Sequence, residues 1–282
     1  MKFIFWGGKD IGNFVLKGLI ENNNIPEGII HYRDNIDQKL IEEARSKGIP
    51  ILHIKTFKKQ QEELINFINT LEVDLYISVA FPFILPKEIL NLVKYPINIH
   101  TGAIPKYRGH HPISAAFLND ESYQATTVHL MAEEVDAGQI ILQDFVKVEN
   151  EDTIFTIRKK LIELSLKLIL ITIKQLRNGS FYPRPQIGEV IWAPRRKPED
   201  SKIDFAQTSR YLHNFIRALV DPYPNAFAYS NGKCVKIKKS IVSNIPGVVL
   251  AALGNRRYII STGDGVVFIE TDLELKVNDK LE

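Results

Sequence analysis

The sequence predicts an α/β protein with a doubly wound, mostly parallel sheet, followed by a small C-terminal domain like a β-barrel. Over residues 1–182, short runs of β-branched and aromatic residues alternate with segments whose apolar residues recur at helical spacing. Residues 183–202 are rich in proline and charge, as linkers are. Residues 203–282 contain one helical segment and then short strand-like runs. We therefore expect two domains, at 1–182 and 203–282, joined by that linker.

The first domain opens with a predicted βα unit, a strand at residues 2–6 and a helix that reaches residue 21. The glycines between them lack the spacing of a dinucleotide fingerprint. Because parallel strands need long crossover connections, the continuing alternation favours parallel pairing. Further predicted strands are residues 28–32, 49–53, 74–78, 95–100, 125–131 and 139–148, and further predicted helices are residues 37–47, 58–70, 112–118 and a long one from the cap at 152–153 to residue 178.

The C-terminal domain is predicted to begin with a helix at residues 207–219. The predicted strands that follow are residues 226–230, 235–242, 247–253, 258–261 and 266–270. Strands of this number and length are typical of a small barrel.

Composition narrows the class of protein. The 282 residues are 45% apolar and 24% charged, which is ordinary for a globular protein. The one cysteine, Cys234, cannot form an internal disulfide, and no Cys/His cluster has metal-ligand spacing, so we expect a reducing compartment and no metal. The apolar start is too short for a signal peptide, and charged residues interrupt the longest apolar segment, residues 161–176, so we expect a cytoplasmic protein. A net charge of +3 permits an anionic ligand but is weak for nucleic-acid binding.

The stretch from residue 97 to 109 carries the clearest chemical signal. Its apolar run delivers Asn98 and His100, which the period of two in a strand places on one face near the strand's carboxyl end. Open α/β sheets bind ligands at that edge. Pro105 and two glycines shape the loop that follows.

An amide beside an imidazole suits acyl transfer. The Asn98 amide can donate to an oxygen that gains negative charge, and His100 can donate or move a proton near neutral pH. A third group normally sets the tautomer and charge of such a histidine, and we assign that role to Asp136, which small residues follow. Taken singly, each of the three is more typical of a polar strand end or a turn, and it is their combination that favours a catalytic role.

These residues resemble the signature of the N10-formyltetrahydrofolate-dependent formyltransferases. That signature is Asn-x-His, then Pro-x-aromatic-Arg-Gly, then Asp before Ala or Ser and Gly, and this chain matches it at residues 98–100, 105–109 and 136–138. Residues 212–218 and 221–224 look most like the members that act on nucleotide-linked 4-amino sugars. One departure is at residues 102–105, Gly-Ala-Ile-Pro, where many relatives have Ser-Leu-Leu-Pro.

The resemblance implies a Rossmann-like catalytic domain and an N-formyltransferase activity. The co-substrate would be N10-formyltetrahydrofolate, with no metal, and the acceptor the 4-amino group of a sugar nucleotide. We favour dTDP-4-amino-4,6-dideoxyglucose over UDP-4-amino-arabinose, which would place the enzyme in the synthesis of a cell-surface polysaccharide such as O-antigen. The expected partners are these small molecules, with neither nucleic acid nor membrane, and a homodimer is compatible with the sequence.

The catalytic roles have two versions at this stage. In one, Asn98 and a protonated His100 stabilise the oxyanion of the tetrahedral intermediate. In the other, a neutral His100 removes the proton of the attacking amine, and Asp136 orients it or relays the proton.

The binding residues are predicted from the resemblance and from local sequence. The resemblance places the pterin of the folate against the apolar loop that contains Phe81, Phe83 and Ile84, and we add Ala137 and Gly138, which follow the candidate acid. The amides of Gly8 and Lys9 can face an anion at a helix start. The other predicted acceptor contacts are Tyr107 in the sugar pocket, Arg195 at the diphosphate and Tyr223 at the base; each is equally a packing aromatic or a solvated charge.

Three rival functions are open. Methionyl-tRNA formyltransferase shares both domains but should carry a stronger basic face. Glycinamide ribonucleotide formyltransferase usually lacks a C-terminal domain like residues 203–282. A non-catalytic folate- or nucleotide-binding module is disfavoured because all three polar groups are present.

Overall fold

The structure is a computed structural model that describes residues 1–32, 36–221, 223–230, 232–243, 256–262 and 264–275. The chain forms two compact units that interleave along the sequence. The first unit comprises Met1–Gly109, Ala125–Val146 and Lys160–Trp192, and the second comprises His110–Gln124, Lys147–Lys159 and Ala193–Glu282. The linker drawn from composition at 183–202 stays a prediction.

The observed elements follow the predicted alternation closely. The strands are β1 Phe3–Gly7, β2 Gly28–Tyr32, β3 Ile51–Ile54, β4 Leu75–Val79, β5 Tyr95–His100, β6 Lys106–Gly109, β7 Tyr123–Leu130, β8 Ile140–Lys147, β9 Ile191–Ala193, β10 Ala226–Ser230, β11 Lys233–Ser243, β12 Arg257–Ser261 and β13 Val266–Thr271. The α-helices are α1 Lys9–Glu21, α2 Gln38–Ser46, α3 Gln61–Asn69, α4 Lys87–Leu90, α5 Pro112–Leu118, α6 Ile154–Arg177 and α7 Ser209–Arg217, and short 3-10 helices occur at Phe57–Lys59 and Pro198–Ser201.

A seven-stranded sheet organises the first unit, in the order β3-β2-β1-β4-β5-β7-β8. The first five strands of this order pair in parallel, and β5 and β7 pair antiparallel. The predicted doubly wound, mostly parallel sheet is therefore confirmed.

Two apolar cores, one on each face, hold this sheet. Phe3 and Phe5 of β1 belong to one core, and Ile4 and Trp6 belong to the other. This split follows from the period of two, and it explains why β1 reads as an unbroken apolar run, since a parallel strand buried on both faces has no polar side. Residues of α1, α2 and α6 cover the first face, and residues of α3 and α4 cover the second.

The second unit contains a four-stranded antiparallel sheet, β10-β11-β13-β12, which confirms a small C-terminal β domain. Leu212, Phe215 and Ile216 of α7 share its apolar core with Ala226 and Val267 from the strands. The strand predicted at 247–253 lies outside the described residues.

Two strands were missed by the sequence prediction. β6 lies where we predicted a loop, β9 lies inside the predicted linker, and together they form a two-stranded sheet. β9 has only three residues, and two of the four residues of β6, Tyr107 and Gly109, have φ of +64° and +105°, which is not regular strand backbone. Among the described residues, no helix has the length and apolar character to cross a membrane.

Candidate active site

Asn98 and His100 lie at the carboxyl end of β5, between β4 and β7. The antiparallel register pairs Asn98 with His129 of β7. Asn98 Nδ2 is 3.1 Å from His129 Nε2. His129 Nδ1 lies 2.8 Å from the Leu130 carbonyl oxygen, which can only accept, so Nδ1 carries a proton. In neutral His129, Nε2 then accepts from Asn98, and the second amide N–H of Asn98 is left for a ligand.

Asp136 reaches the same edge from the loop between β7 and β8. Its φ of +51° turns the chain sharply. Position 138 requires glycine, because a Cβ there would lie 1.8 Å from the Leu130 carbonyl oxygen. The Asp136 carboxylate accepts from the Gly109 N–H at 2.9 Å. Its two oxygens lie 3.4 Å from His100 Nδ1 and 3.5 Å from His129 Nε2. The Asp-Ala-Gly motif therefore brings one carboxylate to two imidazoles.

His100 is buried, and its proton position follows from its neighbours. Nε2 lies 2.8 Å from the Tyr107 carbonyl oxygen, so Nε2 donates and Nδ1 faces Asp136. Burial lowers the pKa of His100 below its usual value, although the Asp136 carboxylate and the Tyr107 carbonyl oppose this shift. The imidazole is therefore mainly neutral at neutral pH, and a proton taken up at Nδ1 is met by a carboxylate.

Asp136 stays ionised. Burial alone would raise the pKa of its carboxyl group, but the charge that His100 and His129 carry when protonated, together with the Gly109 N–H, outweighs burial and holds that pKa well below its ordinary range. An amide, a neutral imidazole and a carboxylate thus meet at the carboxyl edge of the sheet, where an oxyanion can be stabilised and a proton moved.

The loop after β4 provides an aromatic pocket at the same edge. A cavity of about 890 Å³ is lined by Phe57, Phe83 and Ile84 with Tyr32 and three lysines. The Phe57 and Phe83 rings stack with centroids 4.9 Å apart. An elongated, flat, anionic molecule such as a folate suits these walls.

The predicted pterin-binding residues lie in three places. Phe83 and Ile84 line the cavity, whereas Phe81 packs edge-on against Trp6. Ala137 and Gly138 belong to the loop that carries Asp136. Lys87 and Glu133, which join the two loops by an ion pair of 3.7 Å, both line the cavity.

The predicted acceptor contacts are scattered. Gly8 and Lys9 lie at the start of α1, next to the carboxyl end of β1, and Lys9 is exposed with φ of +57°. Tyr107 is 3% exposed, and its carbonyl rather than its ring meets His100. In the second unit, Arg195 is exposed, and the Tyr223 hydroxyl lies 3.5 Å from Arg158 Nη1. These substrate contacts stay predictions.

Sequence reasoning missed the residues that brace the Asp136 loop. Arg108 donates to Glu134 at 2.9 Å, and it also donates to Gln186, which the composition had placed in the linker. A lone glutamine between a proline and an isoleucine carries no signal of such a contact. Within the described ranges, no group of His, Cys, Asp and Glu side chains is arranged to hold a metal ion.

Comparison with known proteins identifies related chains. The family model described as formyl transferase matches residues 2–173, and that of the formyl transferase C-terminal domain matches residues 195–281. Methionyl-tRNA formyltransferase of Thermodesulfovibrio yellowstonii is 34% identical over 226 residues, covering 79% of this chain and 72% of the relative. That of Sulfurihydrogenibium sp. is 31% identical over 285 residues, covering 96% and 91%.

Solved structures with the same fold include two sugar formyltransferases. WlaRD, a sugar 3N-formyl transferase crystallised with dTDP and 5-N-formyl-THF, has a TM-score of 0.73 at 22% identity and covers 98% of this chain and 99% of its own. The N-formyltransferase of Helicobacter canadensis, in complex with folinic acid and dTDP-3-aminofucose, has a TM-score of 0.75 at 21% identity, with 96% and 98% covered.

Proposed function

Because the chain belongs to the formyltransferase family and is an N-formyltransferase that uses N10-formyltetrahydrofolate, we propose that its acceptor is the 4-amino group of a nucleotide-linked amino sugar. The acceptor we name is dTDP-4-amino-4,6-dideoxyglucose, and the product would enter a cell-surface polysaccharide such as O-antigen. The meeting of Asn98, His100 and Asp136 at one sheet edge carries the reaction.

Two observations support the choice of acceptor. Residues 221–224 resemble those of enzymes acting on 4-amino sugars. The chain also shares its fold, over nearly its full length, with two proteins whose structures contain dTDP or a dTDP-sugar, which supports the nucleotide; both of those proteins are described with 3-amino sugars. The small net charge of +3 is sufficient for one diphosphate.

The geometry suggests a sequence of proton movements. The neutral amine attacks the formyl carbon, and the carbonyl oxygen becomes an oxyanion. This oxyanion accepts a hydrogen bond from the second Nδ2–H of Asn98, the one that does not bind His129. His100, neutral because of its burial, takes the amine proton at Nδ1, and Asp136 stabilises the imidazolium. The bond between the formyl carbon and N10 then breaks, and N10 receives the proton from His100. Of the two versions open from sequence, the base role is the one that the lowered pKa of His100 supports.

Methionyl-tRNA is a second candidate acceptor. The relatives that are 34% and 31% identical carry that name. The second unit also presents exposed lysines on β11, at Lys233, Lys236, Lys238 and Lys239, which are suited to a phosphate backbone.

A panel assay separates these functions. Each acceptor is incubated with N10-formyltetrahydrofolate, and the product is examined by mass spectrometry for the addition of one formyl group. We expect the addition on dTDP-4-amino-4,6-dideoxyglucose and none on methionyl-tRNA. Formylation of methionyl-tRNA alone would refute the sugar assignment, and folate binding without turnover of any acceptor would leave only a binding module.

A further inference from the structure

The side chain of Gln186 has hydrogen-bond partners at both ends. Its Oε1 accepts from Arg108 Nε at 3.1 Å and from Nη2 at 2.8 Å. Its Nε2 donates to the carbonyl oxygens of Asp136 and Gly138, both at 2.7 Å. A guanidinium can only donate and a carbonyl can only accept, so these four contacts fix which end of the amide is oxygen.

The backbone on both sides of Gln186 is also fixed. Two residues earlier, Arg184 exchanges two backbone hydrogen bonds of 2.8 Å with Ile140, at the start of β8. Beyond Gln186, the chain continues into β9, which pairs with β6. The segment therefore crosses the Asp136 loop and is anchored before and after it.

We propose that Gln186 is a positioning residue that sets the direction of the Asp136 carboxylate toward His100. The backbone from 136 to 138 is held in an uncommon conformation, with Asp136 at φ +51° and no space for a side chain at Gly138. Gln186 donates to two carbonyl groups of that turn and accepts from Arg108, so it links the turn to Arg108. The residue after Arg108, Gly109, is the one whose N–H binds the carboxylate. Gln186 thus holds the loop that carries the acid and the strand that binds it.

The test variant is Gln186→Met, which keeps length and volume and removes all four hydrogen bonds. The inference rests on the proposed role of Asp136, so Asp136→Asn and the double variant complete a cycle. With dTDP-4-amino-4,6-dideoxyglucose, we expect kcat of Gln186→Met to fall about 10- to 100-fold, because a small misplacement of a catalytic group is costly, while KM for N10-formyltetrahydrofolate stays within about threefold. The double variant should match Asp136→Asn, since Gln186 acts through Asp136.

A second measurement needs no acceptor. NMR titration of the His100 imidazole, identified by its loss in His100→Ala, should give a lower pKa in Gln186→Met, in the same direction as in Asp136→Asn but by less. The carboxylate favours protonated His100, and its displacement weakens that effect.

Asn24→Leu provides the matched control. Asn24 is a buried amide that, like the partly buried Gln186, accepts from an arginine, here Arg177 Nη2 at 2.9 Å, and donates to a backbone carbonyl, here that of Asn22 at 2.9 Å. It precedes β2, at the opposite end of the parallel strands from the site. It should lower the melting temperature and leave kcat and the His100 pKa unchanged. Full activity in Asp136→Asn would refute the role of Asp136. Two results would overturn the role of Gln186 alone. One is an inactive Asp136→Asn together with wild-type kcat and an unchanged His100 pKa in Gln186→Met. The other is that Gln186→Met lowers kcat by the same factor in the Asp136→Asn background as in the wild type.

Discussion

The catalytic edge of the first unit and the α7 helix of the second unit each bury a histidine, and the two histidines have different neighbours. Burial lowers the pKa of both His100 and His213. His100 faces the carboxylate of Asp136, whereas His213 faces neutral groups, the Ser240 hydroxyl and the Asn150 carbonyl, each at 3.0 Å. The Asn150 carbonyl can only accept, so His213 Nε2 donates and Nδ1 accepts from Ser240.

The difference teaches what turns a buried imidazole into a proton carrier. A proton added to His213 meets the Ser240 hydroxyl and the Asn150 carbonyl rather than a carboxylate, and it would lie near Arg217, which further lowers the pKa of His213. A proton added to His100 at Nδ1 is stabilised by Asp136. Burial alone therefore keeps a histidine neutral. A nearby carboxylate stabilises the protonated form, so that the imidazole can take up a proton and release it during turnover.

Removing each imidazole should separate catalysis from stability. His100→Ala should lower kcat about 10²- to 10⁴-fold, the usual contribution of a general base. The variant should still fold, with some loss of thermal stability, because the buried Tyr107 carbonyl oxygen loses its donor. Steady-state kinetics on the accepted substrate measure the loss. A kcat within about threefold of the wild type would remove His100 from the mechanism.

The next expected effect concerns Asn98. Asn98→Ala removes the amide donor, and loss of one such donor typically costs about 2.7–4 kcal/mol in the barrier, or about 10²- to 10³-fold in kcat. Because the amide also donates to His129, a parallel His129→Gln variant reports the share that comes from orientation. Equal losses of kcat in Asn98→Ala and His129→Gln would mean that the contribution of the Asn98 amide depends entirely on its orientation by His129.

Much of this arrangement could be predicted from sequence because it follows from short-range rules. The period of two placed Asn98 and His100 of β5 on one face, and β1, β2 and β4 could be predicted because buried parallel strands are nearly continuous apolar runs. The acid in an Asp-Ala-Gly turn was readable because small residues permit close approach.

Other contacts depend on pairing between distant segments. The contact of His129 with Asn98 follows from the antiparallel register of β7 on β5. The alternation of apolar residues within each strand does not predict which residues of two strands face each other. Gln186 meets the Asp136 loop across fifty residues of sequence, and the strand β9 that helps to hold it has only three residues. Such contacts arise from tertiary packing, so local propensity gives no signal of them.

His213→Leu should lower stability without the loss of kcat expected for His100→Ala. His213→Leu leaves the Ser240 hydroxyl and the Asn150 carbonyl without a partner in a buried site, and such losses cost about 1–3 kcal/mol. Chemical denaturation should therefore show lower stability, while kcat stays unchanged because the first unit holds Asn98, His100 and Asp136. A large loss of kcat at full stability would contradict the division drawn between the two histidines.

The smallest expected effect is in the pH dependence of folding. The pKa of His213 is lowered from 6.5 in the native state, so below pH 6.5 the unfolded chain takes up a proton that the folded chain does not. The stabilisation is complete above that pH and is lost as the pH falls toward the native pKa, at up to about 1.4 kcal/mol per pH unit.

His100 contributes to the pH dependence of stability with the same sign, since its pKa is also lowered. The pKa of Asp136 is lowered from 3.8, so its stabilisation is lost only below about that pH. Urea unfolding at pH 7.5, 6.5 and 5.5 should give a shallower loss of stability for His213→Gln than for the wild type. His100→Gln should flatten the curve in the same direction, because the pKa of His100 is also lowered by burial. Parallel curves for His213→Gln and the wild type would show that His213 titrates alike in both states and is not held neutral.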